Sequence, residues 1–482
     1  MQHKYGWVLL SVYFILHGWQ YYSTLLGVAD VFEALLIVLL SAGIIWLSSV
    51  FLFKTPEKRS LITTFTCFLF FFANPLITTF SARQFLPGIL EQMLFIIVAV
   101  LLLWIILSFF KNATIRLNKF LNFFLSVLVV LAFFQVLNSA LFRNKTSRPL
   151  RENFYDQVQL KERKSIYVII LDEYAGKETL AANFNYNNNR FIYFLKSRKF
   201  QITDSAISNY SFTLLSMPSI FSGSYISKSN GASLSGVERN KEAMFMMYED
   251  NIIHYFSRAG YRIKNYSPFS INIADRYYDH QFLPTGKFLL LYPSLIDDLV
   301  EKVPEFFVSK LGSKQQLTSF YAGKGNKFEQ IFTNVLKDTV NGATPMFTYM
   351  HLMMPHYPYI WDSTGNVNIG FLSNKGATEA DKKNAYLQQL AYTNNVVSGF
   401  IDSLLLKTNG NSIIVLMSDH GYKSGGVNKL EDRFNTINAV YYPGQPNLKR
   451  YKGMSNVNQF RSILSCMASK ELPWKIDSLV LK

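Results

Sequence analysis

Polar and apolar positions divide the 482-residue chain near residue 142 into two unlike halves. Five apolar stretches, residues 7–26, 31–53, 61–80, 86–110 and 120–142, each run for about 20 residues or more, the length that crosses a hydrocarbon core of ~30 Å. They predict an all-α transmembrane domain of five helices over residues 1–142. The first stretch carries His17 and Gln20 in its middle, and His17 reads as a residue lining a helix contact. It lacks the basic start and small-residue cleavage site of a removable signal peptide. Residues 143–164 are polar and charged, include Pro149, and read as a linker leaving the bilayer. Compact apolar runs follow at residues 166–171, 346–352 and 413–417, a pattern that suits strands buried on both faces. Between the last two, residues 385–406 place Leu387, Leu390, Ala391, Asn394, Val397 and Ile401 on one helical face. This alternation predicts an α/β domain over residues 165–482, with a mainly parallel sheet flanked by helices. Active groups in such sheets gather beyond the carboxyl ends of the strands.

Charge gives the helical half an orientation. Lys54, Lys58 and Arg59 lie between the second and third stretches, and Lys111, Arg116 and Lys119 between the fourth and fifth, whereas the opposite short loops offer only Arg83. By the positive-inside rule the basic loops and the N-terminus are cytoplasmic, and an odd number of crossings sends the larger domain outside. The expectation is a multi-pass protein of the cell (inner) membrane with an extracytoplasmic domain.

The formal net charge is +16, yet the first 142 residues hold only eight Lys or Arg and four Asp or Glu, so a net +12 belongs to the remainder. No dense basic stripe is present, which argues against a nucleic-acid partner and for an anionic surface or substrate. The two cysteines, Cys67 in an apolar run and Cys466 near the C-terminus, exclude a disulfide framework and a cysteine zinc site. Residues 281–325 read as an insertion, with Phe288, Leu289, Leu290 and Leu291, then Leu295, Leu299, Val303, Phe306 and Leu311 beside Lys302 and Lys310. Its amphipathic part either leans on the outer leaflet or forms a buried hairpin.

Three apolar strands run straight into residues able to bind a metal: Asp172, His351 with His356, and Asp419-His420-Gly421. An adjacent carboxylate and imidazole on a tight turn both reach one divalent ion, and Gly421 permits the close backbone. A fourth segment, residues 209–223, is rich in hydroxyls and ends in apolar residues and Gly223, as a loop entering a helix does. A Thr at that helix start is either a cap or a nucleophile favoured by the helix dipole.

Taken together, Asp172, Thr213-x-x-Ser216-x-Pro218-Ser219-x-x-Ser222-Gly223, His351-x-x-x-Pro355-His356-x-Pro358-Tyr359 and Ser418-Asp419-His420-Gly421 resemble the sulfatase-type branch of the alkaline phosphatase superfamily. The helical N-terminus joined to such a domain is similar to lipoteichoic acid synthases and lipid A phosphoethanolamine transferases. The resemblance implies an alkaline-phosphatase-like fold with one divalent metal, zinc or manganese, held by Asp172, Thr213, Asp419 and His420. It implies that Thr213 is also the nucleophile and that His356 is catalytic, with His356 and His351 binding the substrate's anionic group. Glu173 and Ser211 are the alternates for ligand and nucleophile.

Two departures shape this reading. A formylglycine sulfatase needs Cys or Ser in a C/S-x-P-x-R pattern, and here position 213 is Thr and position 217 is Met. The further His that phosphoethanolamine enzymes carry after Asp-His-Gly is missing from residues 422–444. The resemblance implies a membrane-bound transferase that moves a phosphate-linked headgroup from a phospholipid donor to an envelope glycan or lipid acceptor through a phospho-threonine. The alternatives are a phosphate- or sulfate-ester hydrolase and a non-catalytic envelope assembly protein that keeps the fold.

Overall fold

The computed structural model describes residues 5–23, 26–79, 89–141, 154–226, 236–248, 251–269, 271–274, 286–296, 299, 304, 307–308, 312–325, 327–339, 344–374, 376–423, 430–444 and 448–480. The chain divides into two compact units, one of residues 1–148 with 284–311 and the other of residues 149–283 with 312–482.

Among the described residues, the N-terminal part of the first unit forms the helices α1 (Gly6–Tyr22), α2 (Val28–Leu52), α3 (Pro56–Phe71), α4 (Ala73–Thr79), α5 (Ile89–Phe109) and α6 (Lys111–Leu141). Helix occupies part of each of the five apolar stretches. Among the described residues only three helices are long and apolar enough to span a membrane, over Val28–Leu52, Gln92–Phe109 and Ala113–Asn138. α1 and α3 fall short at 17 and 16 residues. In α3 the reason is a polar inner face: Ser60, Thr63 and Thr64 are buried, and the Thr63 hydroxyl donates to Ser49 Oγ of α2 at 3.0 Å. His17, expected at a helix contact, is instead exposed and stacks on Tyr13 of its own helix.

Residues 284–311 of the insertion belong to this helical unit. Its short helix Lys287–Leu291 buries Leu290 and Leu291, and Leu295 follows them into the interior. Lys287 Nζ pairs with Glu33 Oε2 at 2.6 Å, the Leu295 amide donates to the Phe70 carbonyl at 3.1 Å, and Asn74 Nδ2 donates to the Tyr292 carbonyl at 2.7 Å. These partners sit at the start of α2, at the end of α3 and in α4, which follows it. The basic residues cluster at the other end of those helices, where Arg59 donates to the Phe53 carbonyl and Lys58 to Ser108 Oγ. Glu33 and Leu52 are separated by about 30 Å of helix. Lys302, Val303, Phe306, Lys310 and Leu311 lie outside the described residues, as do Arg83 and residues 143–153 of the linker.

The second unit is built on a six-stranded sheet of order β2-β6-β5-β1-β4-β3, where β1 is Ser165–Leu171, β2 Gln201–Ile202, β3 Arg262–Tyr266, β4 Met346–Leu352, β5 Ser412–Ser418 and β6 Asn438–Tyr441. The neighbours β5, β1, β4 and β3 pair in parallel. β6 runs against β5, and β2 against β6, so the sheet is mixed, with β6 alone reversed. β4 and β5 are buried along their whole length, and only the first residue of β1 is partly open, because helices cover both faces. One face packs Ile166, Val168, Ile170, Tyr349, Val415 and Met417 against Met217 and Phe221 of the helix Thr213–Ser222 and Phe460 of the helix Gln459–Met467.

Replacing Leu290 by Asp places a charge in an apolar interior without a partner and is expected to cost about 3–5 kcal/mol. Thermal melting of the detergent-purified full chain reads this as a drop of several degrees. An unchanged melting temperature would show that the insertion does not pack on the helices.

Candidate active site

Strand register assembles the site. In β1 Leu171 aligns with Ser418 of β5 and with Leu352 of β4, so Asp172 and Asp419 leave neighbouring strand ends side by side, and His351 stands one position before the end of β4. Asp172, His351, Asp419 and His420 have no exposed surface. One ligand atom each of Asp172, His351 and Asp419 lies within 4.8 Å of the others. Asp172 Oδ2 is 3.7 Å from His351 Nε2, Asp172 Oδ1 is 3.7 Å from His420 Nε2, and Asp419 Oδ2 is 3.4 Å from His420 Nε2.

Thr213 opens the helix Thr213–Ser222 as its first helical residue, and Phe212 holds the cap position without a side-chain cap bond. The Thr213 hydroxyl therefore does not cap the helix. Its Oγ1 lies 3.2 Å from His420 Nε2, at the end of the helix where the dipole favours negative charge. His420 Nδ1 is 2.7 Å from the Gly421 carbonyl, an oxygen that can only accept, so the ring proton resides on Nδ1 and Nε2 presents a lone pair toward Thr213. On β4 the Tyr349 hydroxyl lies 3.0 Å from His351 Nδ1, and a proton on Nδ1 donated to Tyr349 leaves His351 Nε2 equally free to ligate.

Burial alone pushes the Asp172 carboxyl upward, but the imidazoles of His356, His351 and His420 outweigh it and hold the group well below the usual carboxylate range. The Tyr349 phenol is pushed well above its ordinary value by burial and by the charges of Asp419 and Asp172, so it stays neutral. Among the described residues, both oxygens of Asp172, Oδ2 of Asp419 and Nε2 of His351 are buried and have no hydrogen-bond partner. Carboxylate oxygens and imidazole nitrogen converging without protons between them are a donor set that a divalent cation fits.

Glu173 turns away from this cluster. Its φ of 60° is left-handed, a conformation that costs a side-chain-bearing residue of order 1–3 kcal/mol and is held here by its surroundings. The Glu173 amide donates to Asp419 Oδ1 at 3.1 Å, Glu173 Oε1 accepts from the Lys423 amide at 2.8 Å, and Glu173 Oε2 faces His356 Nε2 at 3.6 Å. His356 is partly exposed and belongs to this second pair, whereas His351 stands in the cation cluster. Ser211 is partly exposed, and among the described residues no hydrogen bond ties it to the cluster.

Two contributors carry no signal of their own in the sequence. Ser216 donates to the Asp419 carbonyl at 2.5 Å, one helical turn beyond Thr213, and Lys423 places Nζ 3.5 Å from His420 Nε2. Ser216 lies inside the hydroxyl-rich segment, and Lys423 follows the Asp-His-Gly turn by two residues.

A side chain at Gly421 would place Cβ 2.5 Å from the Asn435 carbonyl oxygen and 2.8 Å from that of Asp432. Backbone cannot yield cheaply there, so Gly421→Ala is expected to cost about 1–3 kcal/mol and to displace His420. The full chain should melt at a lower temperature and retain less bound divalent metal. Wild-type metal content in this variant would show that Gly421 does not set the His420 position.

The sulfatase family model matches residues 165–463. No curated protein sequence matches the chain. Among solved structures, the zinc complex of the C-terminal periplasmic domain of EcEptC from Escherichia coli is 11% identical, covers 66% of this chain and 85% of its own, and superposes with a TM-score of 0.41. The soluble domain of lipooligosaccharide phosphoethanolamine transferase A from Neisseria meningitidis is 13% identical, covers 64% and 90%, and gives 0.39. The C-terminal periplasmic domain of phosphoethanolamine transferase EptC from Campylobacter jejuni is 15% identical, covers 63% and 89%, and gives 0.38. The family model takes in β1, Thr213, β4, β5 and the Asp419-His420 turn within one match, and on it the chain belongs to the sulfatase family.

Proposed function

We propose that this protein is a membrane-bound, metal-dependent transferase that moves a phosphate-linked headgroup from a phospholipid to an envelope glycan or lipid, with Thr213 as nucleophile. The observation that carries the reading is the Thr213 hydroxyl, buried at a helix N-terminus 3.2 Å from His420 Nε2 and beside a buried Asp172, His351 and Asp419. The apolar helices α2, α5 and α6 support a membrane location. The basic loops at one end of these helices support an orientation with those loops cytoplasmic and the second unit extracytoplasmic.

In this reading Asp172, Asp419, His420 and Thr213 hold one divalent cation, zinc or manganese, and His351 Nε2 is a further donor. The bound cation would lower the pKa of the Thr213 hydroxyl and neutralise charge on the phosphoryl group. The chain's residues do the rest. With the cation bound Thr213 would be held as its alkoxide, and the helix N-terminus would stabilise the oxyanion. A Thr213 Oγ–phosphorus bond forms as the bond from phosphorus to the lipid oxygen breaks, and His356 gives that oxygen a proton. His356 then takes the proton of the acceptor hydroxyl, whose oxygen attacks phosphorus and returns Thr213. Glu173 orients His356 for both transfers.

Thr213→Ala is expected to lower headgroup transfer by about 10³-fold or more, with Thr213→Ser retaining part of it. Peptide mass spectrometry of the full chain, incubated with manganese and vesicles of phosphatidylethanolamine or phosphatidylglycerol, should find the headgroup phosphate on Thr213. Wild-type turnover in Thr213→Ala would overturn the nucleophile, and an adduct that appears only with one lipid names the donor. Chelation of the purified protein should abolish turnover and lower its melting temperature, since a ligand at 100–1,000 times its Kd stabilises by about 3–4 kcal/mol. A chelated protein that melts and turns over like the untreated one would remove the metal.

A further inference from the structure

Residues 353–360, which follow β4 and carry His356, are neither helix nor strand, so contacts from outside the segment hold this imidazole in place. Gln389, buried on the helix Glu379–Lys407, supplies three of them. Its Nε2 donates to the His356 carbonyl at 2.9 Å and to the Pro358 carbonyl at 3.4 Å, and its Oε1 accepts from the Trp361 amide at 3.1 Å. Tyr386 stands three residues earlier, on the same face of that helix. Its hydroxyl donates to the Glu173 carbonyl at 2.9 Å and accepts from the Ala175 amide at 3.0 Å, and its ring packs against Tyr359 with centroids 5.9 Å apart. The side chains of the two residues held in this way meet, with Glu173 Oε2 3.6 Å from His356 Nε2. His356 Nδ1 lies 2.5 Å from the Tyr357 carbonyl, an oxygen that only accepts, so Nδ1 keeps its proton and Nε2 is the atom that exchanges one.

We propose that Gln389 is a positioning residue for proton transfer at His356: it fixes the loop that carries this imidazole, while Tyr386, one turn before it, fixes the turn that carries Glu173. One helix face thereby sets the distance between the acid and the imidazole. The inference rests on the reading of His356 as the group that gives its Nε2 proton to the lipid oxygen as the bond from phosphorus to that oxygen breaks. Glutamine suits the place because the loop presents two carbonyls and one amide, and a side-chain amide offers donors to the first and an acceptor to the second. An apolar side chain of the same length would leave those three backbone groups without these bonds and the loop free to shift. A shift of about 1 Å in a proton donor costs on the order of 100-fold in rate. Gln389 acts through His356, so its effect depends on how much the departing oxygen needs a proton.

The test uses the full chain in detergent, loaded with manganese, as wild type, Gln389→Met, His356→Gln and the double variant. Thr213 adduct formation is timed in a single turnover from phosphatidylethanolamine or phosphatidylglycerol vesicles and from the p-nitrophenyl ester of the same headgroup phosphate, whose oxygen leaves as a stable anion. Metal content and modification of His356 by diethyl pyrocarbonate, read by peptide mass spectrometry, are measured on the same samples. Gln389→Met should slow the reaction of the lipid by about 10- to 100-fold and that of the nitrophenyl ester by about threefold at most. The ratio of the two rates is independent of any fraction of the protein that fails to fold. The double variant should lose no more with the lipid than His356→Gln alone, as for two residues that act through one group. His356 should be modified faster in Gln389→Met, with metal content unchanged. Equal slowing with both donors would overturn the proposal, as would a double variant slower than His356→Gln by the full Gln389→Met factor, or His356 modified at the wild-type rate. A wild type that forms no adduct from either donor would sink the transferase reading, and faster modification of His356 in Gln389→Met would then leave Gln389 as the residue that holds this imidazole.

Discussion

Two carboxylates and two imidazoles occupy one volume with no exposure to water, and the rest of the second unit is arranged around that constraint. Removing ionised carboxylates from water costs several kcal/mol per group even after relaxation, unless charge and hydrogen bonds replace what the solvent supplied. Protein groups replace part of it: Asp419 Oδ1 accepts from the Glu173 amide, and the imidazoles favour the charged form of Asp172. They do not complete it, because the remaining oxygens of Asp172 and Asp419 and Nε2 of His351 are left without hydrogen-bond partners. Two aspartates whose oxygens converge on imidazole nitrogens form a donor set that a divalent cation fits. Such a cluster persists only in a scaffold that fixes each donor independently of the others.

The scaffold fixes them through a layer of hydrogen bonds behind the donors. Ser418 Oγ donates to the His420 carbonyl at 2.6 Å and accepts from the Tyr174 amide at 3.0 Å, so one hydroxyl ties the end of β5 to the turn after β1. Tyr386 donates to the Glu173 carbonyl at 2.9 Å and accepts from the Ala175 amide at 3.0 Å, clamping the same turn from the helix Glu379–Lys407. Asn456 Nδ2 donates to the Ser418 carbonyl at 2.8 Å, and Arg461 donates to the carbonyl of Gly223, the residue that ends the Thr213 helix. The C-terminal segment thus holds both the strand that carries Asp419 and the helix that carries Thr213. A fold assembled in this way keeps the distances of the site at the cost of many buried polar groups, each with its own partner.

The parts read correctly from sequence are those where burial on both sides of a strand leaves an unmistakable apolar run. Residues 166–171, 346–352 and 413–417 match β1, β4 and β5 to within a residue. β3 escapes because its sequence, Arg262-Ile263-Lys264-Asn265-Tyr266, keeps the polar character of an edge, and β2 has only two residues. The helix read over 385–406 begins earlier, at Glu379, because its first turn is polar and is set by the Thr378–Asp381 capping box rather than by apolar period. In the first unit, buried hydroxyls in α3 lower the apolar signal where helices meet each other rather than lipid. Within the site, the motifs carry Asp172, Thr213, Asp419 and His420 to one place. They do not reveal that His351 and His356 part company, since a spacing of five residues beyond a strand end says nothing of direction. Lys423 is invisible for a simpler reason: a basic residue after a turn is solvated in most proteins.

The adjacent acids Asp172 and Glu173 show how one backbone torsion sorts chemistry into two compartments. With both residues in extended conformation, their side chains would alternate about the strand axis, and Glu173 would point across the sheet. The left-handed φ of Glu173 breaks that alternation. It aims the amide at Asp419 Oδ1, adding a donor to the cation cluster, while the carboxylate faces His356 and the Lys423 amide. Asp172 is left to the buried interior with His351 and His420. Glu173 faces the partly exposed imidazole of His356. The strain of a non-glycine residue in this conformation therefore falls where it separates an acid buried among imidazoles from an acid that faces a partly exposed one.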